Sequence, residues 1–207
     1  MDNPQRILLT GARGFIGTHL VRRLIEDTGS IPHEVVCVDI EDDAITGPFD
    51  GIIHLAAVSR VKDAEADRIK ALDTNIMLTA RLLEWNPRWF IFASTCEKPT
   101  NIYGYTKRAA EDYIKLRCER YAIFRLTNVY GPGMAHDKLL PRIARDGIES
   151  LNGYPLPFEY VPVSVVAEMI RLAIPKFDDA AFKSYTMKMA TGVAHTLEQL
   201  KDVATSY

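Results

Sequence analysis

Three glycines at positions 11, 14 and 17 constrain this chain more than any other feature, because they lie between a short aliphatic run and a stretch of helical apolar spacing. Arg6 to Thr10 reads as a strand, and Phe15, Ile16, Leu20 and Leu24 fall on one face of a helix. In the joining segment, T-G-A-R-G-F-I-G at 10 to 17, each glycine has a mechanical use. One makes the tight turn, one lets backbone approach an anion closely, and one lets the helix pack against the strand. The helix amino terminus then faces the loop and favours a negatively charged group there, such as a diphosphate.

A loop of this kind needs a parallel sheet around it, and the rest of the chain supplies the pattern. Short runs at Glu34 to Asp39, Gly51 to Ala56, Trp89 to Ser94 and Tyr121 to Leu126 alternate with helical segments, which is the signature of βαβ units. One long helix is expected through Ile69, Leu72, Ile76 and Leu83, and another from about Tyr103 to Arg120. The turn Tyr130-Gly131-Pro132-Gly133 ends the alternation. The expected fold is α/β, a Rossmann-like doubly wound parallel sheet over 1–133, with a small mixed carboxyl-terminal substrate-binding part over 134–207. That part is expected to hold a helix near Leu139 to Asp146, a strand near Phe158 to Val161, and helices near Val165 to Ala173 and Leu197 to Ala204.

Asp39 follows Gly17 by 22 residues, at the end of the second strand, where a carboxylate can hydrogen-bond an adenosine ribose. The expected cofactor is therefore NAD, since that carboxylate would repel a 2′-phosphate. Arg13 within the loop leaves NADP open, because a guanidinium can hold a phosphate bidentately. Cofactor contacts are expected from Gly11, Arg13, Gly14, Phe15, Ile16, Gly17, Asp39 and its neighbour Ile40.

Tyr103 and Lys107 stand four apart on one helix and so share a face. A phenol is a poor base near neutral pH, and a neighbouring ammonium favours its phenolate, which brings proton transfer into range. Ser94-Thr95 ends the preceding strand, where ligands of open α/β sheets bind. A hydroxyl there can orient a substrate hydroxyl or carbonyl against the tyrosine.

With these segments in place the chain resembles the extended short-chain dehydrogenase/reductase family, in its NAD-dependent epimerase/dehydratase branch acting on nucleotide sugars. The resemblance runs through T-G-A-R-G-F-I-G, the Asp39 strand end, I-I-H-L-A-A-V-S at 52 to 59, Asn75, F-A-S-T at 92 to 95, Y-G-Y-T-K at 103 to 107 and R-L-T-N-V-Y-G-P-G at 125 to 133. It extends into F-E-Y-V-P-V-S-V-V-A at 158 to 167 and T-L-E-Q-L at 196 to 200. It implies Tyr103 as acid/base, Lys107 as its partner and a ribose contact, Thr95 as the hydroxyl that meets substrate, and Ser94 as a supporting hydroxyl. It further implies cofactor contacts at Leu55, Ala56, Ala57, Asn75 and Leu126, and a substrate contact at Asn128. The implied reaction is epimerisation by hydride removal to NAD, a keto intermediate and hydride return. Dehydration and reduction on the same scaffold are alternatives, as is a catalytically silent dinucleotide sensor. A homodimer through the two long helices is also implied.

Departures from the family pattern bear on substrate. The stretch between Asp39 and Gly51, the loop from Thr95 to Tyr103, and the part after Gly133 are all short. Ser94-Thr95-Cys96-Glu97 resembles the S-T-x-E of sugar 4,6-dehydratases, where the glutamate acts as a base. In a short polar loop, however, the favoured reading is that Glu97 simply faces water.

Composition excludes other classes. With 25 Lys and Arg against 27 Asp and Glu, the net charge of −2 offers no footprint for nucleic acid or an anionic membrane. Five scattered histidines and three cysteines lack metal-ligand spacing and form no disulfide framework. His54 reads as a satisfied core residue. A polar start without a signal-peptide pattern makes the cytoplasm the expected compartment.

Overall fold

The alternation of short aliphatic runs with helical segments becomes a six-stranded parallel sheet in the computed structural model, which describes residues 5–26, 34–39, 46–146, 158–190 and 194–195. The order of elements is β1 (Arg6–Thr10), α1 (Phe15–Glu26), β2 (Glu34–Val38), β3 (Gly51–His54), α2 (Val61–Ala66), α3 (Arg68–Leu72), a π-helical turn (Asp73–Met77), α4 (Leu78–Leu83), β4 (Trp89–Thr95), α5 (Ile102–Arg117), β5 (Tyr121–Leu126), β6 (Asn128–Tyr130), α6 (Leu139–Asp146), β7 (Phe158–Pro162), α7 (Val163–Ala173), a 3-10 turn (Pro175–Asp178), β8 (Tyr185–Met189) and β9 (Ala194–His195). The main sheet runs β2-β1-β3-β4-β5-β8, and β6, β7 and β9 form a small second sheet. The chain has the doubly wound α/β fold.

Successive strand residues point to opposite faces, so each central strand feeds two cores. Ile7, Leu9, Ile53, Trp89, Ile91 and Phe124 pack with Leu20 of α1 and Val166 and Ile170 of α7. Leu8, Ile52, Phe90, Phe92 and Ile123 pack with Leu82 of α4 and Ala110 and Ile114 of α5 on the other side. Gly51 is required by this packing, because a Cβ there would lie 2.0 Å from the Trp89 ring.

Within the segment from 134 onward, β8 pairs in parallel with β5 as the last strand of the main sheet, and α7 lies against α1. The long helix expected through Ile69, Leu72, Ile76 and Leu83 is a continuous helical run from Arg68 to Leu83 that widens into the π-helical turn at Asp73–Met77, and Asp67 caps its start by accepting from the Lys70 N–H. The helix expected near 197–204 falls outside the described residues. Among the described residues, no helix is long and apolar enough to cross a membrane.

Candidate active site

The carboxyl ends of β1, β3, β4 and β5 converge on one edge of the sheet, and the expected site residues gather there. Gly11 takes φ +73°, and a Cβ on it would lie 2.6 Å from the Ala56 amide nitrogen. A Cβ on Gly17 would lie 2.1 Å from the Gly11 carbonyl oxygen. The loop is therefore pressed against the end of β3 and against its own helix, and only glycine fits at both positions. Asp39 accepts the Arg13 N–H at 3.1 Å and lies 3.9 Å from its guanidinium, so the strand-end carboxylate and the loop arginine are neighbours. Leu55 is tied to β1 through its N–H to the Thr10 carbonyl, and Ala56 is buried behind the loop. Phe15 sets its ring edge against His19, whereas Ile16 packs into the core. Ile40 lies outside the described residues.

Thr95 and Tyr103 are neighbours, close enough for the Thr95 hydroxyl to favour the Tyr103 phenolate. Asn101 caps α5 by accepting the Gly104 N–H at 2.9 Å, which fixes where the first turn presents Tyr103. Gly104 allows the preceding loop to lie on that turn, since a Cβ there would meet the Lys98 carbonyl oxygen at 2.1 Å. Lys107 is 2% exposed and places its ammonium 4.0 Å from the centre of the Phe92 ring. Among the described residues it has that ring face and no hydrogen-bond acceptor. Burial lowers its pKa to about 7, with the Glu111 charge opposing the shift.

The proton affinity of Tyr103 departs from the sequence expectation. Burial raises its pKa, the Thr95 hydroxyl lowers it, and the charges of Glu97 and Cys96 raise it further. In the ligand-free chain the phenol is thus held protonated. The physical cause is the burial of the phenol itself, which disfavours its charged form.

Two other expected residues are placed differently. Ser94 does not face the crevice. Strand alternation puts it on the side of Phe90 and Phe92, where it donates at 2.5 Å to Glu111, a carboxylate that is fully buried. Arg125 holds the same carboxylate through Nε at 2.9 Å and Nη2 at 2.6 Å, with Arg108 and Lys115 beyond. Burial raises the Glu111 pKa, but bonds from Arg125 and Ser94 outweigh it and keep the group ionised. Asn75 is 1% exposed, and its amide is spent on Val58, both N–H and carbonyl, and on the Thr106 hydroxyl. It shapes the loop after β3 instead of reaching into it. Asn128 is exposed and donates to the Glu159 carbonyl at 3.3 Å, while Leu126 is buried beside it. Ala57 is half-buried at the mouth. Glu97 is exposed and accepts from Asn101 at 2.9 Å. Across the mouth, Arg60 after β3 forms an ion pair with Asp137 after β6.

Sequence reasoning missed Glu111 and Arg125. The available signal was spacing, since Glu111 follows Lys107 by four residues and shares its helix face. Among the described residues no group of three or more His, Cys, Asp or Glu side chains is placed to hold a metal ion.

The residues present fit a dinucleotide. The glycine cradle leaves bare backbone where a Cβ would collide, and Lys107 offers a buried ammonium without an acceptor. Comparison with known proteins agrees. Residues 7–157 match the model of the NAD dependent epimerase/dehydratase family. A trifunctional UDP-glucose 4,6-dehydratase/UDP-4-keto-6-deoxy-D-glucose 3,5-epimerase/UDP-4-keto-L-rhamnose-reductase of Arabidopsis thaliana is 28% identical, the match covering 74% of this chain and 32% of that protein. A putative UDP-glucose 4-epimerase of Methanocaldococcus jannaschii is 29% identical over 60% of this chain and 56% of its own length. The chain thus spans from about a third to about half of these relatives. The crystal structure of UDP-glucose 4-epimerase from Thermus thermophilus in complex with NAD superposes with a TM-score of 0.74, at 22% identity, covering 97% of this chain and 82% of that one.

Proposed function

The chain belongs to the NAD dependent epimerase/dehydratase family, and from that premise we propose that it is a nucleotide-sugar epimerase that uses NAD as a recycled cofactor. The observation that carries the reading is the neighbouring Thr95–Tyr103 pair, set one helical turn from the buried Lys107 ammonium and at the edge of the glycine cradle. NAD held there would supply an acceptor and donor for a hydride. With its own proton released in the loaded site, Tyr103 Oη would take the proton of the sugar hydroxyl as its carbon becomes a carbonyl, and give it back when the hydride returns to either face. Thr95 holds the reacting oxygen against Tyr103, and Lys107 supplies positive charge beneath the phenolate and a donor for the nicotinamide ribose. Gly11, Gly14 and Gly17 receive the diphosphate, with Phe15 and Ile16 opening the helix below it. Asp39 borders the adenosine ribose, and Leu55, Ala56, Ala57 and Leu126 line the cofactor's path. Asn128 reaches toward substrate from β6.

The Asp39 carboxylate beside Arg13 supports NAD over NADP, because the carboxylate offsets the cation that a 2′-phosphate would need. Thermal unfolding tests this. At a hundredfold excess over Kd, a ligand adds about 2.7 kcal/mol, or roughly 5 to 10 °C for a chain of this size. A shift with NAD and none with NADP is expected, and a shift with NADP alone would overturn it. Incubation with UDP-glucose, the nucleotide sugar in the names of both relatives, should then give an epimer, and Tyr103→Phe should remove turnover while leaving the NAD shift in place. An unchanged rate in Tyr103→Phe would leave the sensor reading standing.

Glu97 favours a second reading, dehydration, since its charge is felt at Tyr103. Glu97→Gln should leave epimerisation intact and abolish loss of water. We also propose a homodimer through α3, the π-helical turn, α4 and α5, on which Ile69, Met77, Tyr105 and Leu116 are exposed.

A further inference from the structure

Beneath the cofactor cradle, buried polar groups that the proposed reaction does not use form two runs of hydrogen bonds that meet at Asn75, one at its backbone carbonyl and the other at its side-chain amide. His54, Thr79 and Thr106 are fully buried, Asn75 is 1% and Thr10 2% exposed. Thr79 Oγ1 donates to the Asn75 carbonyl at 2.9 Å, so toward His54 it can only accept. The imidazole Nε2, 3.0 Å away, must therefore carry the proton. A neutral ring protonated on Nε2 presents a lone pair on Nδ1, and Thr10 Oγ1 fills it at 2.7 Å. Thr10 Oγ1 in turn accepts the Ala56 N–H at 3.4 Å, at the point where the glycine loop rests on β3.

The second run reaches the acid/base helix. The π-helical turn turns Asn75 inward, and its amide donates to Thr106 Oγ1 at 2.9 Å. Thr106 passes its own hydrogen to the Tyr103 carbonyl at 3.0 Å. Every hydrogen in the two runs has one place to go, from the Ala56 N–H through Thr10, His54 and Thr79 to the Asn75 carbonyl, and from the Asn75 amide through Thr106 to the backbone of Tyr103.

We propose that His54 is a positioning residue: as a neutral imidazole protonated on Nε2, it is the central link of the run that, through Asn75, holds the cofactor-cradle strands and the Tyr103 helix in register. This goes beyond the proposed reaction and concerns the ligand-free chain, so its test is independent of NAD binding. A second proton on Nδ1 would reverse the bond to Thr10, with Nδ1 donating to Oγ1 and the Thr10 hydrogen left to find another acceptor. The surroundings oppose that proton. Burial lowers the His54 pKa to about 3, and Lys107 of α5 acts in the same direction. The rings packed on it, Phe90 and Phe92 of β4, carry no charge, and Thr10 and Thr79 do not titrate in this range. Such a network gains from completeness, since each buried group left without a partner weakens the whole.

The test is nuclear magnetic resonance on the full chain labelled at histidine nitrogen and tyrosine carbon. The expected His54 signature is a protonated Nε2 and a bare Nδ1, unchanged from pH 8 to pH 5. A proton on Nδ1, or titration near the usual histidine value, would overturn the proposal. The second readout is the Cζ resonance of Tyr103, which reports the surroundings of its hydroxyl beside Thr95. In Thr79→Val, which breaks one link with an isosteric side chain, that resonance should shift although residue 79 does not touch the phenol. His54→Phe should shift it in the same direction. A folded Thr79→Val chain with an unmoved Tyr103 resonance would reduce His54 to a packing residue and refute the positioning role.

Discussion

Lys107 shows how a single site residue trades stability for chemistry. Its pKa falls from 10.5 to about 7 because an ammonium is buried under Phe92 without an acceptor. Between those values the unfolded chain binds a proton that the native chain does not, so the stability of the ligand-free protein rises with pH across that window. Lys107→Met replaces the ammonium with an apolar chain of similar shape. It should stabilise the protein at pH 6 by on the order of 4 kcal/mol, and the advantage should shrink as pH climbs toward 10.5. Urea unfolding of the two proteins at several pH values checks this, and equal stability at pH 6 would mean that the charge is better solvated than its burial indicates. Turnover should be lost in the same variant.

Glu111 presents the opposite case, a buried charge whose partners are complete. Glu111→Ala strands Arg125 and Ser94 together and should cost about 3 to 5 kcal/mol, read as a lowered denaturation midpoint. A loss below about 1 kcal/mol, the range of exposed pairs, would show that Arg125 finds water instead. Its role was legible only in part. Residue spacing places Glu111 on the Lys107 face, but nothing in the sequence shows that β5 sends Arg125 to meet it. Ser94 could have been assigned correctly from the strand period alone. With Phe90 and Phe92 facing α5, the residue two further on must face α5 as well.

At the scale of elements, the sequence was most readable where one force dominates. β1 and β5 occupy the expected residues because their interiors are aliphatic or aromatic and buried. β8 was missed because Tyr185–Met189 is an edge strand whose residues alternate between half-buried and exposed, unlike the continuous apolar runs of central parallel strands. The π-helical turn was missed for a different reason. Its cause is a tertiary demand, the inward turn of Thr74 and Asn75, which local apolar spacing does not encode. The loop joining β4 to α5 depends just as strongly on close contact. Gly104→Ala places a methyl group against the Lys98 carbonyl and should force the loop off the first turn of α5. The expected cost is about 1 to 3 kcal/mol in stability, with a larger proportional loss of activity, because Thr95 and Tyr103 sit on either side of that loop. Comparison of kcat with the thermal midpoint separates the two. Activity that falls only as far as stability requires would mean the loop does not set the Thr95–Tyr103 geometry.

Across the whole molecule, both faces of the main sheet are covered, one by α1 with α7 and the other by α4 with α5. Exposed apolar side chains remain on both faces, with Ile25, Val165 and Leu172 on α1 and α7. Leu116 is 78%, Ile69 69%, Tyr105 55% and Met77 46% exposed, and all four lie on the helices that cover the second face. Tyr105 and Leu116 are eleven residues apart, close to three helical turns, so they share one stripe of α5. A stripe of this kind closes economically against its own copy, since a two-fold axis presents the same residues twice. The Lys107 side of α5 is buried against the sheet, so docking a second copy on the outer stripe would brace the helix that carries Tyr103 from behind. Leu116→Glu sets two carboxylates into such an interface and should reduce the mass measured by light scattering from that of two chains to that of one. The thermal midpoint should then depend less on protein concentration than in the native protein. A native chain that already scatters as a monomer at all concentrations would refute the dimer and leave the exposed stripe without a self-partner.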